Sequence, residues 1–223
     1  MSKRPPFFRL ALIAVCAGAC LYGCTVPPAS NRTDAAAAAP VAMSSAWMVD
    51  AAQSNLNFVT TKAGQAGVAG IDEVQSFGSF SGGLSTQGQI RLVVDLASVK
   101  TGVDIRDERL QNMLFNVKVT PQAVFTAQLA PSLLTGLSRP GQQNVEVEGQ
   151  LSIAGQSKPA KAILQVSRLS ASQLSVSTRY PIVVNASDFG LRPGVEALRE
   201  VMGLNFLSSS APVSFNLLLN SKT

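Results

Sequence analysis

The sequence predicts an all-β domain of about eight antiparallel strands, and three observations support this fold class. After residue 46, apolar and polar residues alternate with a period of two through most of the chain, as in strands with one buried face. Turn-forming glycine and proline residues separate many of these stretches. Only two short segments have apolar residues at helical spacing. Because closure removes exposed sheet edges, we favour a barrel, but a two-sheet sandwich would have the same periodicity.

The alternation is clearest in two stretches of the chain. Leu56, Phe58 and Thr60 share one face of the first stretch, and Leu92 and Val94 share one face of the second. The predicted strands cover residues 55–60, 77–84, 90–97, 123–129, 145–153, 162–166, 174–180 and 213–219. Turn-forming residues occur at positions 81–83, 139–141, 154–156 and 158–159.

Two segments predict short helices in the connections between strands. Residues 104–114 place Leu110 and Leu114 at helical spacing, and residues 195–202 have the same kind of apolar face. A cluster of opposite charges at 106–109 lies near the start of the first of them. Such charges usually cap a helix and pair locally on the surface, so we interpret this cluster as a cap rather than an active site.

Residues 1–23 have the features of a secretory signal peptide. Their charges are all positive, at Lys3, Arg4 and Arg9, and an uncharged run over residues 10–22 follows. Thirteen residues at about 1.5 Å each fall well short of the roughly 30 Å that a spanning helix covers. The segment therefore predicts export rather than anchoring by a helix.

The end of this segment predicts a lipid anchor. Residues 21–24, Leu-Tyr-Gly-Cys, match a bacterial lipobox, so we expect Cys24 to be lipidated and to become the new N-terminus. Cys16 and Cys20 have less suitable residues before them. The alternative is an ordinary cleavage site near Cys24. Thr25 after the cysteine resembles lipoproteins sorted to the outer membrane, so the expected location is the periplasmic side of that membrane.

Removing the signal changes what the composition means. The chain of 223 residues has 18 Lys and Arg against 13 Asp and Glu, but residues 24–223 keep 15 against 13, a net charge of +2 rather than +5. No basic stripe remains, so nucleic acid is not an expected partner. Residues 24–46, rich in Ala, Pro and Ser, predict a flexible tether, and residues 47–220 predict one globular domain without a free thiol or a disulfide.

The residue types argue against an enzyme. The chain has no histidine, which excludes Ser-His-Asp and Cys-His nucleophile pairs and histidine-ligated metals. No phosphate loop or dinucleotide fingerprint is present, and residues 78–82 place Phe80 where a nucleophile elbow needs serine. We expect no catalytic residue, no cofactor and no metal site.

Five blocks of sequence resemble the YceI-like family and occur in that family's order. The most specific is residues 94–102, Val-Asp-Leu-Ala-Ser-Val-Lys-Thr-Gly, which is followed by the Arg-Asp-Glu-Arg-Leu run at 106–110. Further blocks lie at residues 47–58, 77–82, 147–155 and 186–191. The blocks belong to a region from Trp47 to Phe215, nearly the whole predicted domain.

The resemblance implies a lipocalin-like, eight-stranded antiparallel barrel that is exported and holds a long polyisoprenoid chain. Closure of the barrel and the class of ligand come from the resemblance, since periodicity shows neither. Gln53, Lys62 and residues 108–109 stand where many members have histidine. Polar or metal contacts that those members make through histidine cannot be made in the same way here.

A lipid inside the barrel would contact the inward-facing apolar side chains. The candidate lining residues are Phe58, Phe77, Phe80, Leu92, Val94, Phe115, Phe125, Leu151, Ile153, Phe189 and Phe206. Any one of them could instead belong to an ordinary core, because a small barrel can be filled by its own side chains.

Two function classes follow from this reading. The first is a membrane-tethered carrier or store of a long isoprenoid or quinone-type lipid. The second is a structural or interaction lipoprotein of the envelope whose barrel is self-filled. The sequence leaves the oligomeric state open.

Overall fold

The computed structural model describes residues 45–137 and 141–221. The strands are β1 (Ser45–Ala63), β2 (Ile71–Phe77), β3 (Phe80–Ser85), β4 (Gln89–Asp95), β5 (Val99–Lys100), β6 (Gln122–Gln128), β7 (Gly141–Ile153), β8 (Gln156–Arg168), β9 (Gln173–Thr178), β10 (Ile182–Asn185), β11 (Phe206–Leu207) and β12 (Ser210–Ser221). The helices are α1 (Asp104–Arg109), α2 (Pro131–Leu137) and α3 (Arg192–Val201). The predicted signal peptide, Cys24 and residues 24–44 of the predicted tether lie outside the described residues.

Eight of these strands form a closed antiparallel barrel. The ring runs β1, β3, β4, β6, β7, β8, β9 and β12, and β12 pairs again with β1. Closure leaves none of these strands as a free edge along its whole length. The predicted eight-stranded barrel is therefore confirmed, and the sandwich alternative is excluded.

Strand β1 is long because it belongs to the barrel wall and to a side ribbon at once. Its first part pairs with β3, and residues 57–62 pair with residues 71–76 of β2. The register against β12 shifts between Asp50 and Asn55. The Asp50 carboxylate accepts hydrogen bonds from Ala52 N and Gln53 Nε2, and Ser54 Oγ donates to Asp50 O, which stabilises this bulge.

The other short strands extend the wall locally. Strand β5 pairs with β2, β10 pairs with β12, and β11 pairs with β1. None of these four accessory strands, β2, β5, β10 and β11, belongs to the closed ring.

The structure corrects the predicted strand at 77–84. The chain bends at Gly78 and Ser79, whose amides donate to Ser98 O and Ser98 Oγ at 2.9 Å each, so β2 ends at Phe77 and β3 begins at Phe80. Residues 81–83, predicted to form a turn, lie inside β3 and pair with β4.

Two further turn predictions have different outcomes. Residues 154–156 do connect β7 to β8, as predicted. Residues 158–159 lie inside β8, opposite Gln150 and Leu151 of β7. Strand β8 pairs with β9 only at residues 164–168, so Pro159 occupies a part of β8 that has a partner on one side, where a missing backbone N–H is tolerated.

Both predicted helices are present. Helix α1 continues into one turn of π-helix at Leu110–Leu114, and α3 begins three residues before the predicted segment. Helix α2 was not predicted. Among the described residues, no helix has the length and apolar character needed to cross a membrane.

Helix α3 packs closely against the π-helical turn. A Cβ added at Gly194 would lie 2.7 Å from Met113 O and 3.0 Å from Leu114 Cα, so the absence of a side chain permits the contact. The buried side chains of Leu110 and Leu198 belong to the same core as the barrel interior. The two helical segments therefore cover one part of the interior.

We predict that Gly149→Ala destabilises the protein by about 1 to 3 kcal/mol. Gly149 pairs with Ala127 of β6, and an added Cβ would overlap Thr126 O and lie 2.7 Å from Phe125 Cζ. Gly64→Ala is the matched control, since nothing lies within 4 Å of an added Cβ there. Urea denaturation followed by circular dichroism measures both, and equal midpoints would contradict the close approach.

Candidate functional site

The barrel encloses a cavity of about 330 Å³. This volume lies in the range of small-molecule sites, about 300 to 1,000 Å³. The wall is built mainly from the inward faces of the barrel strands, with contributions from the π-helical turn and α3. The side chains of residues 45–137 and 141–221 therefore do not fill the interior.

Most of the residues predicted from the sequence to line the interior border this cavity. The eight that do so are Phe58, Phe77, Leu92, Val94, Phe115, Phe125, Leu151 and Ile153. Six of them lie in strands of the closed barrel. The period-two pattern predicts an inward position for these side chains, because the apolar face of a strand packs toward the interior.

Three predicted residues lie elsewhere. Phe80 is buried at the first position of β3, and Phe189 is buried at the end of a short 3₁₀ segment; both pack in the core without bordering the cavity. Phe206 is 48% exposed in β11, and its neighbour Leu207 borders the cavity instead. Phe206 lies outside all eight predicted strands, so no alternating pattern indicated which of the two faces of β11 points inward.

The helical lining residues were not predicted as site residues. Leu110 and Leu114 from the π-helical turn border the cavity, as do Val195, Leu198 and Met202 from α3 and its end. Their helical spacing is visible in the sequence. It shows that they share an apolar face but not which surface that face covers.

Three phenylalanines form a row along one wall. The rings of Phe58 and Phe77 are stacked with centroids 5.2 Å apart, and the rings of Phe77 and Phe115 are tilted with centroids 6.1 Å apart. Such offset pairs stabilise one another beyond simple burial. The row joins β1, β2 and the segment after the π-helical turn into one apolar surface.

The cavity becomes polar toward one end of β1. Leu56 and Phe58 are followed on the same face by Thr60 and Lys62, and all four border the cavity. A strand presents every second residue to one side, so the cavity wall becomes more polar along this face from Leu56 to Lys62.

Two cations share one carboxylate at the polar end. Lys62 Nζ lies 2.8 Å from Glu73 Oε1, and Arg106 Nη1 lies 2.7 Å from Glu73 Oε2. The three side chains are 19 to 26% exposed. The local pairing predicted for Arg106 is wrong, because α1 carries this residue to β2, where it meets a carboxylate 33 positions earlier.

Gln75 and Thr60 lie between the charged end and the phenylalanine row. Gln75 Nε2 donates to Thr60 Oγ1 at 2.9 Å, and Gln75 is 5% exposed. Gln75 Oε1 is buried and has no hydrogen-bond partner among the described residues. Buried acceptors are rarely left without a partner, and this oxygen is available to accept a hydrogen bond from a group inside the cavity.

The remaining charged clusters have structural surroundings. Asp107 is buried and accepts hydrogen bonds from Thr101 N and Thr101 Oγ1, at 2.8 and 2.6 Å. Glu146 and Glu148 are exposed on the outer face, and hydrogen bonds to them raise the pKa of Lys161. Within 45–137 and 141–221, no three Cys, Asp, Glu or His side chains are grouped to hold a metal ion.

Comparison with known proteins identifies relatives of this architecture. A family model described as YceI-like domain matches residues 47–217. A polyisoprenoid binding domain from Saccharophagus degradans, implicated in plant cell wall breakdown, is 34% identical with a TM-score of 0.73. That match covers 79% of this chain and 99% of the other. Among curated protein sequences, no significant match was found.

More distant solved structures share the fold. BcnA from Burkholderia cenocepacia is 20% identical with a TM-score of 0.52, over 76% of this chain and 98% of that one. A YceI protein from Campylobacter jejuni is 18% identical with a TM-score of 0.51, over 67% and 85% of the two chains. The lipocalin-like topology therefore persists where most residues differ.

We predict that Glu73→Gln destabilises the protein by about 1 to 2 kcal/mol, because Lys62 and Arg106 would then face each other without a carboxylate. Urea denaturation measures the change, which should shrink in 1 M NaCl because salt screens the repulsion. Glu196→Gln is the control, since Glu196 pairs with Arg199 on an exposed helix face. A variant as stable as the wild type at low salt would count against the pairing.

Proposed function

This chain belongs to the YceI-like family, and we propose from that membership and from its cavity that the barrel binds a long apolar lipid of polyisoprenoid or quinone type. The observation that carries the proposal is the apolar interior cavity of about 330 Å³. The S. degradans relative, 34% identical, is described as polyisoprenoid binding. Its alignment covers nearly all of that domain, which supports extending the ligand class to this chain.

Burial of apolar surface supplies the affinity in such a site. One isoprene unit has about five carbons, and each buried CH₂ contributes about 0.8 kcal/mol, so one unit contributes about 4 kcal/mol. Micromolar binding needs about 8 kcal/mol after association costs of several kcal/mol. A few buried units meet this requirement without a charged contact.

We further propose that the protein acts from the membrane as a carrier or store. Residues 1–23 would direct export, and an acylated Cys24 would hold the protein at the periplasmic side of the outer membrane. Residues 24–44, which precede β1, would tether the barrel to that anchor. Several acyl chains on one residue bind a bilayer durably, which suits a protein that takes up or releases a membrane lipid.

The second function class, a structural lipoprotein with a self-filled barrel, has no specific observation in its favour. It requires an interior occupied by side chains, whereas the barrel contains a cavity. Binding rather than catalysis is therefore the proposed activity.

Native mass spectrometry tests lipid binding directly. Full-length protein purified from its host membranes in mild detergent should carry an isoprenoid mass that disappears after organic extraction. The extract, analysed separately, identifies the lipid. Protein that shows only its own mass, and that remains empty after incubation with prenyl lipids, would refute the proposal.

We predict that Val147→Phe lowers the lipid-bound fraction by about tenfold, because the added ring occupies space along the apolar wall. Val147 is 3% exposed and borders the cavity. Glu146→Phe adds the same ring to the outer face and should leave binding unchanged. Ala162→Phe, opposite Val147 on β8, provides a second filling variant if the first folds poorly. Equal lipid loading in the folded inner and outer variants would count against the cavity as the site.

We predict that Cys24→Ser moves the protein from the membrane fraction to the soluble periplasmic fraction. The hydroxyl cannot receive the lipid that anchors the mature chain. Cys20→Ser should remain in the membrane fraction with its acyl mass. Membrane retention and acylation of the Cys24 variant would contradict this assignment.

A further inference from the structure

We infer that Gln75 is a specificity-determining residue that anchors an uncharged hydroxyl at the head of the bound lipid. The inference rests on the proposed function, because it assigns a role to one residue of the proposed lipid site. The Gln75 side chain is buried at the cavity wall, but its amide oxygen has no hydrogen-bond partner among the described residues.

The register of β1 and β2 orders the cavity in layers. Phe58 is opposite Gln75, and Thr60 is opposite Glu73. The next inward-facing residue of β1 is Lys62, which is paired with Glu73. A chain extending along the phenylalanine row therefore meets the Gln75 amide before it reaches the ion pairs.

Only one of the two polar atoms of the Gln75 amide has a hydrogen-bond partner among the described residues. Its nitrogen donates to Thr60 Oγ1, while its oxygen is buried without a partner among the described residues. Both residues border the cavity. A ligand group that donates to this oxygen removes the cost of a buried, unpaired acceptor.

A hydroxyl fits this position in either orientation of the amide. In the present orientation it donates to Oε1. After a half-turn of the amide, Thr60 can donate to the oxygen, and the hydroxyl accepts from the nitrogen. A hydrocarbon end satisfies neither orientation, so it leaves the buried amide unpaired.

An anionic head group is less suited to this layer. Its oxygens would face Gln75 Oε1, an acceptor, in the present orientation. The ion pairs beyond this layer carry a net charge of +1, but Glu73 already accepts from both Lys62 and Arg106 and places a carboxylate close to the head group. The layer therefore favours an uncharged hydroxyl, which pairs with either orientation of the amide, over an acceptor-only group, which requires the amide to turn.

The experiment compares three probes that share the same C20 isoprenoid chain and differ only at its head. They are geranylgeraniol, the hydrocarbon with a methyl group in place of the hydroxyl, and geranylgeranyl phosphate. Delipidated full-length protein in mild detergent is titrated with each. The wild type should bind the alcohol about three- to tenfold more tightly than the hydrocarbon, the range expected for one hydrogen bond.

The variant Gln75→Met keeps the length of the side chain and removes its polar atoms. It should bind the alcohol and the hydrocarbon equally, with hydrocarbon affinity as in the wild type. A purely structural role would lower both affinities together. Gln150→Met, on an exposed position of β7, is the matched control and should keep the preference for the alcohol.

The outcomes separate this inference from the proposed function. Failure of the wild type to bind any of the three probes overturns both. Equal binding of alcohol and hydrocarbon by the wild type overturns the role of Gln75 and leaves lipid binding intact. Two further results also overturn the role of Gln75. One is tighter binding of the phosphate than of the alcohol by the wild type, and the other is a preference for the alcohol that persists in Gln75→Met. The wild-type comparison remains decisive even if the variant does not fold.

Discussion

The pairing of β1 with β12 is the interaction on which the rest of the structure depends. It joins the first and last strands of the domain through eight residue pairs, from Trp47 with Ser221 to Phe58 with Val213. This pairing closes the sheet, so that every inward face of the ring turns toward one interior. An open sheet with the same sequence pattern would leave its apolar face and two edges exposed. The local cost of a bulge between Asp50 and Asn55 is offset by the side-chain hydrogen bonds around Asp50.

Closure alone does not keep the interior open, because an eight-stranded barrel can be packed solid by large side chains. Small residues along the wall leave room here: Gly83, Ala123, Ala160, Ala162 and Ala211 all border the cavity. The helical segments then cover part of the space without filling it. The close contact that Gly194 permits holds α3 against the π-helical turn, which keeps Leu114 and Leu198 at the cavity wall.

The same cavity combines an apolar interior with a polar end. The polar end is built by the ribbon of β1 and β2 together with α1. The β1–β2 ribbon adds Gln75 and Glu73 to the wall, and α1 supplies Arg106. Burial of a long chain provides affinity without direction, since apolar contacts are non-directional. A polar layer at one end of the cavity orients the ligand, because only the polar end of an amphiphile can form hydrogen bonds with that layer.

The amino-acid sequence by itself determined the strand content, the inward apolar face and the family, because alternation and local blocks are properties of neighbouring residues. It also identified eight residues of the apolar lining, including Phe58 and Phe125. Only the tertiary structure decided which apolar residues border the cavity and which are packed away, since Phe77 and Phe80 lie in the same predicted strand but only Phe77 lines the cavity. It also decided the partner of Arg106 and the burial of the Gln75 oxygen, which has no partner among the residues that the structure describes. These depend on strands β1 and β2 and helix α1 meeting at one end of a closed barrel, and no local pattern encodes that meeting.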